Sequence, residues 1–253
     1  MAFDPASGIH FEVLGQGPAV MVALPLMASY REIFGDAMMP VFNGYVGPLK
    51  DRFSLILIDY PSIGQSRDIA PEDLTADRVC ADLLRVATAA GHDRFAYWGY
   101  SWSGAVGLQL AARTDRLSAL VIGGWPPLGG PYANLLDASR RKIGHVEPGS
   151  RIILRSDDQY RQWSCYYQSM IDWDEASSVA AIGCPRFGYF GGNGDLVEAG
   201  LAVNIASAFR ANRARLEAMG WDIVEFSGRG HDVCMDATLV VPPVAAFLDR
   251  ALG

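Results

Sequence analysis

The sharpest chemical feature of the sequence is a serine set between an apolar strand and a helix. Gly99-Tyr100-Ser101-Trp102-Ser103-Gly104 follows the apolar stretch 95–98 and precedes a helical stretch over 102–113. A serine on so tight a turn needs small residues two positions to either side, here Gly99 and Ser103, and its hydroxyl is pushed clear of the sheet. The N–H of Trp102 opens the following helix, where it has no intrahelical acceptor and sits at the positive end of the dipole. It suits a developing oxyanion. Nucleophile and anion donor from one turn point to acyl transfer. The bland alternative is a serine-rich strand-to-helix turn without chemistry, and the strand and helix on either side argue against it.

A serine hydroxyl is a weak nucleophile and needs a base within hydrogen-bond reach. The chain has four histidines. His10 lies in the first strand and His92 ahead of the Ser101 strand, both readable as surface or packing residues, and His145 lies in an irregular central segment. His231 stands in Gly228-Arg229-Gly230-His231-Asp232, between the last strand and the last helix. That loop emerges at the carboxyl edge of the sheet, where open α/β sheets form their sites. His231 is therefore the candidate base. An acid must hold its tautomer: Asp195, in Gly191-Gly192-Asn193-Gly194-Asp195, follows the strand over 185–192 and emerges at the same edge. Glu198 stands in reserve, and a solvated loop carboxylate is the alternative for either.

The elements that must carry these residues alternate between strand and helix. Residues 9–13 alternate apolar and polar and suit an edge strand, followed by a turn at 15–18. Residues 19–24 and 53–58 are continuously or nearly apolar, as parallel strands buried on both faces are. A helix over 74–90 ends before Gly91, and a strand over 117–124 follows the 102–113 helix. From Trp125 to about Ile182 the rhythm breaks into proline- and glycine-rich turns with helical stretches near 132–142 and 157–171. It resumes with the strand over 185–192, a helix near 200–218, a strand over 221–226 and a closing helix near 243–252. The expectation is an α/β fold with a doubly wound, mostly parallel sheet. Its core comprises residues 1–124 and 183–253, and a helical cap over 125–182 is inserted after the sixth strand.

Composition bounds the function. The chain has 253 residues, half of them hydrophobic and 19% charged, enough to bury one large core. A net charge of −7 repels phosphate backbones and anionic lipid, so neither nucleic acid nor membrane is an expected partner. No leader or membrane-spanning stretch is read, and the expected location is the cytoplasm. Cys80, Cys165, Cys184 and Cys234 show no metal-binding spacing and are expected reduced; no metal or cofactor is implied. The expected partner is a small-molecule substrate, and nothing sets an oligomeric state.

Taken together, the GYSWSG turn and the GGNGD and GRGHD loops resemble the α/β-hydrolase superfamily. GQGPAVMVAL resembles the approach to its third strand and DYPSIGQS the loop after its fourth. The resemblance spans nearly the whole chain outside the cap. It implies the chain order nucleophile, acid, base, with Ser101, Asp195 and His231 as the triad and Trp102 as one oxyanion donor. Relatives place His-Gly after the third strand; this chain has Leu24-Pro25-Leu26, which leaves Leu26 as the second donor. The implied activity is hydrolysis of a carboxylic ester, thioester or lactone through an acyl-serine. Relatives also cleave carbon–carbon bonds, transfer acyl groups or act as perhydrolases, and a small-ligand-binding protein on the same fold is the non-catalytic alternative. Serine at 101 argues against dehalogenase or epoxide-hydrolase chemistry, which uses aspartate there.

For the substrate, Tyr160, Trp163, Tyr167 and Met170 share one helix face, with Trp125, Tyr132, Tyr166 and Trp173 close in sequence. Trp125, Tyr160, Trp163 and Tyr167 are candidates to bind an apolar or aromatic substrate; a face packed on the main domain is the other reading. Phe34, Met38, Met39, Phe42 and Tyr45 stand between a site entrance and core packing.

Overall fold

Side chains on a strand point alternately to opposite faces, so a run apolar at every position needs cover on both sides. In the computed structural model, which describes residues 2–23, 25–145, 152–156 and 159–253, the apolar runs meet that need in one sheet. Its strands are β1 (Ala2–Phe3), β2 (His10–Leu14), β3 (Ala19–Val22), β4 (Ser54–Ile58), β5 (Phe95–Tyr100), β6 (Leu117–Gly123), β7 (Arg186–Asn193) and β10 (Trp221–Gly230). They run in the order β1-β2-β4-β3-β5-β6-β7-β10. β1 and β2 pair antiparallel at one edge, and from β4 to β10 the pairing is parallel. Residue 24, expected to end β3, lies outside the described residues.

Two cores flank the sheet. Val20, Val22, Leu55, Leu57 and Trp98 meet helices α2 (Met39–Lys50) and α9 (Ala237–Leu252) on one face. Met21, Ile56, Ile58, Phe95 and Tyr97 meet α3 (Ala76–Ala89), α4 (Trp102–Ala111) and α8 (Ala206–Ala218) on the other. α3 starts where Thr75 accepts from the Arg78 N–H and stops at Gly91, whose φ of +86° suits a residue without Cβ. α9 begins at Ala237, earlier than the closing helix expected near 243, and runs through Pro242 and Pro243. Burial of Val240, Val241, Val244, Phe247 and Leu248, each contributing roughly 1.5–3 kcal/mol, offsets the hydrogen bonds those prolines cannot make.

The segment between β6 and β7 carries α5 (Tyr132–Lys142), α6 (Gln159–Gln168) and α7 (Glu175–Ala180). Of the helix expected over 157–171, residues 157 and 158 lie outside the described residues, and α6 is described over Gln159–Gln168. Gln159 Nε2 donates to Ser62 O at 2.6 Å and Gln162 Nε2 to Ser62 Oγ at 3.1 Å, which ties α6 to the loop after β4. The start of the helix expected near 200–218 is instead a hairpin, β8 (Leu196–Glu198) with β9 (Leu201–Val203). Ala199 and Gly200 both have positive φ there, and such a pair makes the tight turn a two-residue hairpin requires. Before α2, the short helix α1 (Tyr30–Phe34) follows the loop after β3. Among the described residues, no helix is long and apolar enough to cross a membrane.

Candidate active site

Ser101 sits between β5 and α4 with φ 55° and ψ −125°, a conformation that costs a non-glycine residue of order 1–3 kcal/mol. The surroundings hold it there. Ser101 N donates to Gly123 O at 2.8 Å on the neighbouring strand. Ser103 Oγ, 2.8 Å from both Tyr100 N and Tyr100 O, braces the turn from inside. Tyr97 Oη donates to Ser103 O at 2.8 Å and meets Tyr60 Oη at 2.7 Å behind it. Trp102, the first residue of α4, keeps an N–H that no helical carbonyl can take.

Gly99 is fixed by contact. A Cβ there would lie 2.3 Å from Ser103 O, a backbone atom that cannot step aside. Gly99→Ala is expected to cost about 3 kcal/mol and to lower the melting temperature by roughly 10 °C. Gly47 in α2 has open space where a Cβ would stand, with nothing within 4 Å, and Gly47→Ala serves as the control, expected to raise stability by about 0.5–1 kcal/mol. Calorimetry of the two variants checks both signs; equal melting temperatures would overturn the account of the turn.

His231 begins a 3₁₀ turn, His231–Met235, directly after β10. Its Nε2 lies 2.9 Å from Ser101 Oγ, so the two residues the sequence singled out as nucleophile and base meet. Tyr100 Oη donates to His231 O at 2.5 Å and Tyr45 Oη to Cys234 O at 2.7 Å, which anchors the loop from below. Burial pushes the His231 imidazole down to a pKa of about 4, against the opposing pull of the Glu198 and Asp232 carboxylates. The ring is therefore neutral at pH 7, the form a general base requires. Its Nδ1 is buried without a hydrogen-bond partner among the described residues.

Asp195 does not reach that nitrogen. Its carboxylate takes Ser207 N at 3.1 Å and the Ser207 hydroxyl, at the start of α8. Against the cost of burial, these bonds and the Ile205 and Ala206 backbone hold its pKa below the usual carboxylate value. The physical reason is competition: a helix N-terminus offers several free donors and a positive dipole end, where one imidazole N–H offers a single donor. Glu198, in β8, is the carboxylate with the larger pull on His231, and it is ion-paired with Lys142 of α5.

Ser101 and His231 open on a cavity of about 940 Å³ whose walls include Tyr30, Ile33, Phe34, Met38, Ile152 and Met235. Phe34 and Met38 thus line the site, whereas Tyr45 is core and Met39 and Phe42 pack beside it. Tyr30, Ile33 and Met235 were not singled out in the sequence; their place depends on α1 and the His231 turn folding back toward each other. Pro25 reaches the same cavity, and Leu26 beside it is fully buried in the loop after β3. Leu24 lies outside the described residues.

The four aromatic candidates are not among the residues lining the cavity on which Ser101 and His231 open. Trp125 is 1% exposed and packs on Tyr132 and Tyr167. Tyr160, Trp163 and Tyr167 line a space of about 230 Å³ that they share with Trp102, the residue next to Ser101, and with Lys142 and Glu198. They do so because Gln159 and Gln162 fasten α6 to the loop after β4 and turn its aromatic face toward α5. All four cysteines are unpaired, and no group of three or more His, Cys, Asp or Glu could hold a metal among the described residues.

Comparison with known proteins fits this architecture. A family model described as alpha/beta hydrolase fold matches residues 41–133, which include Ser101. The enol-lactonase from Burkholderia xenovorans superposes with a TM-score of 0.69, covering 95% of this chain and 96% of that one at 16% identity. The chain has the α/β-hydrolase fold. Within that fold, a Cronobacter turicensis protein named provisionally as the carbamate hydrolase RutD is 29% identical over 133 residues, 51% of this chain and 49% of that protein. The pimeloyl-acyl-carrier-protein methyl ester esterase of Nitrosomonas europaea is 32% identical over 119 residues, 46% of this chain and 40% of that enzyme. The chain spans about half the length, or less, of these curated relatives. In this hydrolase fold, Ser101 and His231 stand on two strand ends of the same sheet edge.

Proposed function

We propose that this α/β hydrolase is a serine hydrolase acting on an uncharged carboxylic ester, thioester or lactone with a sizeable apolar part. The observation that carries the reading is Ser101 Oγ, on a strained turn, 2.9 Å from Nε2 of a neutral, half-buried histidine at the mouth of an apolar cavity. Ser101 Oγ attacks the carbonyl carbon as His231 Nε2 takes its proton. The Trp102 N–H and the Leu26 N–H hold the oxyanion, and the tetrahedral species collapses to an acyl-serine as His231 returns the proton to the leaving oxygen or sulfur. Water, deprotonated by the same imidazole, then attacks the acyl carbon, and as the Ser101 Oγ–acyl bond breaks the imidazolium returns the proton to Ser101 Oγ and the acid leaves. No step needs a metal or an organic cofactor.

Glu198 is assigned the carboxylate that steadies His231, on the strength of its pull on the imidazole and the unfilled Nδ1. The apolar walls favour an uncharged substrate, since an anion buried there would lose hydration without a partner. A carbamate ester follows the same steps, and the names of the curated relatives, a carbamate hydrolase and a methyl ester esterase, bracket this chemistry. The helices between β6 and β7 are read as a cap that shields the acyl-serine from water.

Intact mass after exposure to a fluorophosphonate tests the proposal. One adduct per chain, mapped to the peptide containing Ser101, together with turnover of p-nitrophenyl esters that improves from acetate to longer acyl groups, is the expected result. A folded protein that takes no label would remove the acyl-serine from consideration.

A further inference from the structure

Asp59, just beyond the end of β4, is wholly buried, and its carboxylate is enclosed by donors. Ser29 N donates to it at 2.9 Å and the Ser29 hydroxyl at 2.5 Å, His10 Nδ1 lies 2.7 Å away, and Gln65 N donates at 3.0 Å. Ser66 Oγ donates to Asp59 O at 2.6 Å and accepts from His10 N at 2.8 Å, which locks the partners to one another. The cage admits nothing more: a Cβ on Gly64 would stand 2.4 Å from Asp59 Oδ2. Burying a carboxylate this completely is expensive unless its lone pairs are filled, so the arrangement exists to hold something.

What it holds is Ser29. That residue ends the loop after β3, which carries Pro25 and Leu26, and it precedes α1, whose Tyr30, Ile33 and Phe34 wall the cavity. A serine at the start of a helix ordinarily turns its hydroxyl back to cap its own N–H groups. Ser29 makes no such cap and gives the hydroxyl to Asp59. The other end of the loop is tied by Ala23 N to Trp98 O at 2.9 Å, and Ala28 N meets Ile58 O at 3.3 Å. The segment bearing Leu26 thus hangs between the sheet and a buried carboxylate, in a chain that lacks His-Gly there.

We propose that Asp59, acting through Ser29 and steadied by His10, is a positioning residue for the reaction: it sets the loop that places the Leu26 N–H against the oxyanion. The inference rests on the acyl-serine reading. Losing an oxyanion donor outright costs about 100- to 1,000-fold in kcat, so a donor left in place but loosened is expected to cost about tenfold.

Natural protein, Ser29→Ala, Ser29→Thr and Asp59→Asn are compared in kcat and KM for an apolar p-nitrophenyl ester and in inhibition by an alkylboronic acid, which forms a tetrahedral adduct on an activated serine. Ser29→Ala is expected to lower kcat and boronate affinity together, each about tenfold, with KM within about twofold, and Ser29→Thr to restore both. Asp59→Asn, where it folds, shows the same split. A Ser29→Ala enzyme with natural kcat and boronate affinity would overturn the inference, as would a threonine variant no better than alanine. If the natural protein binds neither boronate nor fluorophosphonate, the acyl-serine reading itself falls and this inference with it.

Discussion

Ser101→Ala and His231→Ala are each expected to lower kcat by about 10,000- to 1,000,000-fold, and the double variant no further than either alone. In the proposed mechanism the two side chains, 2.9 Å apart, work as a unit, and groups that act as a unit lose nearly everything with the first deletion. The oxyanion donors and the cavity remain in both variants, so roughly 1,000-fold acceleration over water is expected to survive. Steady-state kinetics on one apolar ester decide it. A Ser101→Ala enzyme retaining more than about a hundredth of natural kcat would mean that the bond is broken without an acyl-serine, since a displaced nucleophile costs far more than that.

The histidine adds a pH signature. With its pKa pushed by burial down to about 4, His231 as the proposed base is competent only above that value, so kcat/KM is expected to rise as pH climbs through about 4 and then stay level. Stability moves in the same direction. The unfolded chain protonates this histidine near 6.5, above the folded value of about 4. As pH falls from 6.5 toward 4 the unfolded state therefore takes up the proton first, and folding stability is lost over that window. In His231→Ala this contribution to the acid-side loss disappears.

What could be read from the chain divides by range. Ser101 and His231 were legible because each sits in a local strand–loop–helix pattern whose chemistry needs no distant partner to be recognised. The parallel strands were legible from unbroken apolar runs. The pairing of Asp59 with His10 has no local signature, since residues 49 apart meet only after β2 pairs antiparallel with β4. The aromatic face of α6 was visible as a face, but which cavity it meets depends on Gln159 and Gln162 reaching a serine about a hundred residues away. The hairpin of β8 and β9 was hidden because Ala199 gives no sequence sign of its positive φ.

The acid is where local pattern and three-dimensional placement part, and one pair of variants separates them. Glu198→Gln is expected to lower kcat about 100- to 10,000-fold with little change in KM, because a neutral amide neither steadies the imidazolium that forms at His231 nor fixes its tautomer. The loss of its carboxylate also removes an upward pull on the histidine, so the rising limb of the pH profile moves to lower pH. Asp195→Asn acts on another structure. It weakens the bonds to Ser207 at the head of α8, which is expected to cost about 1 kcal/mol of stability, a melting shift of about 2–4 °C, and to change kcat less than about tenfold. The ion pair with Lys142 gives a further handle. Lys142→Met releases the Glu198 carboxylate from its competing cation, which strengthens the charge felt by His231 and moves the rising limb to higher pH. If instead Asp195→Asn abolishes turnover while Glu198→Gln leaves it intact, then Asp195 must leave α8 for His231 during the reaction, and the helix end is its resting place.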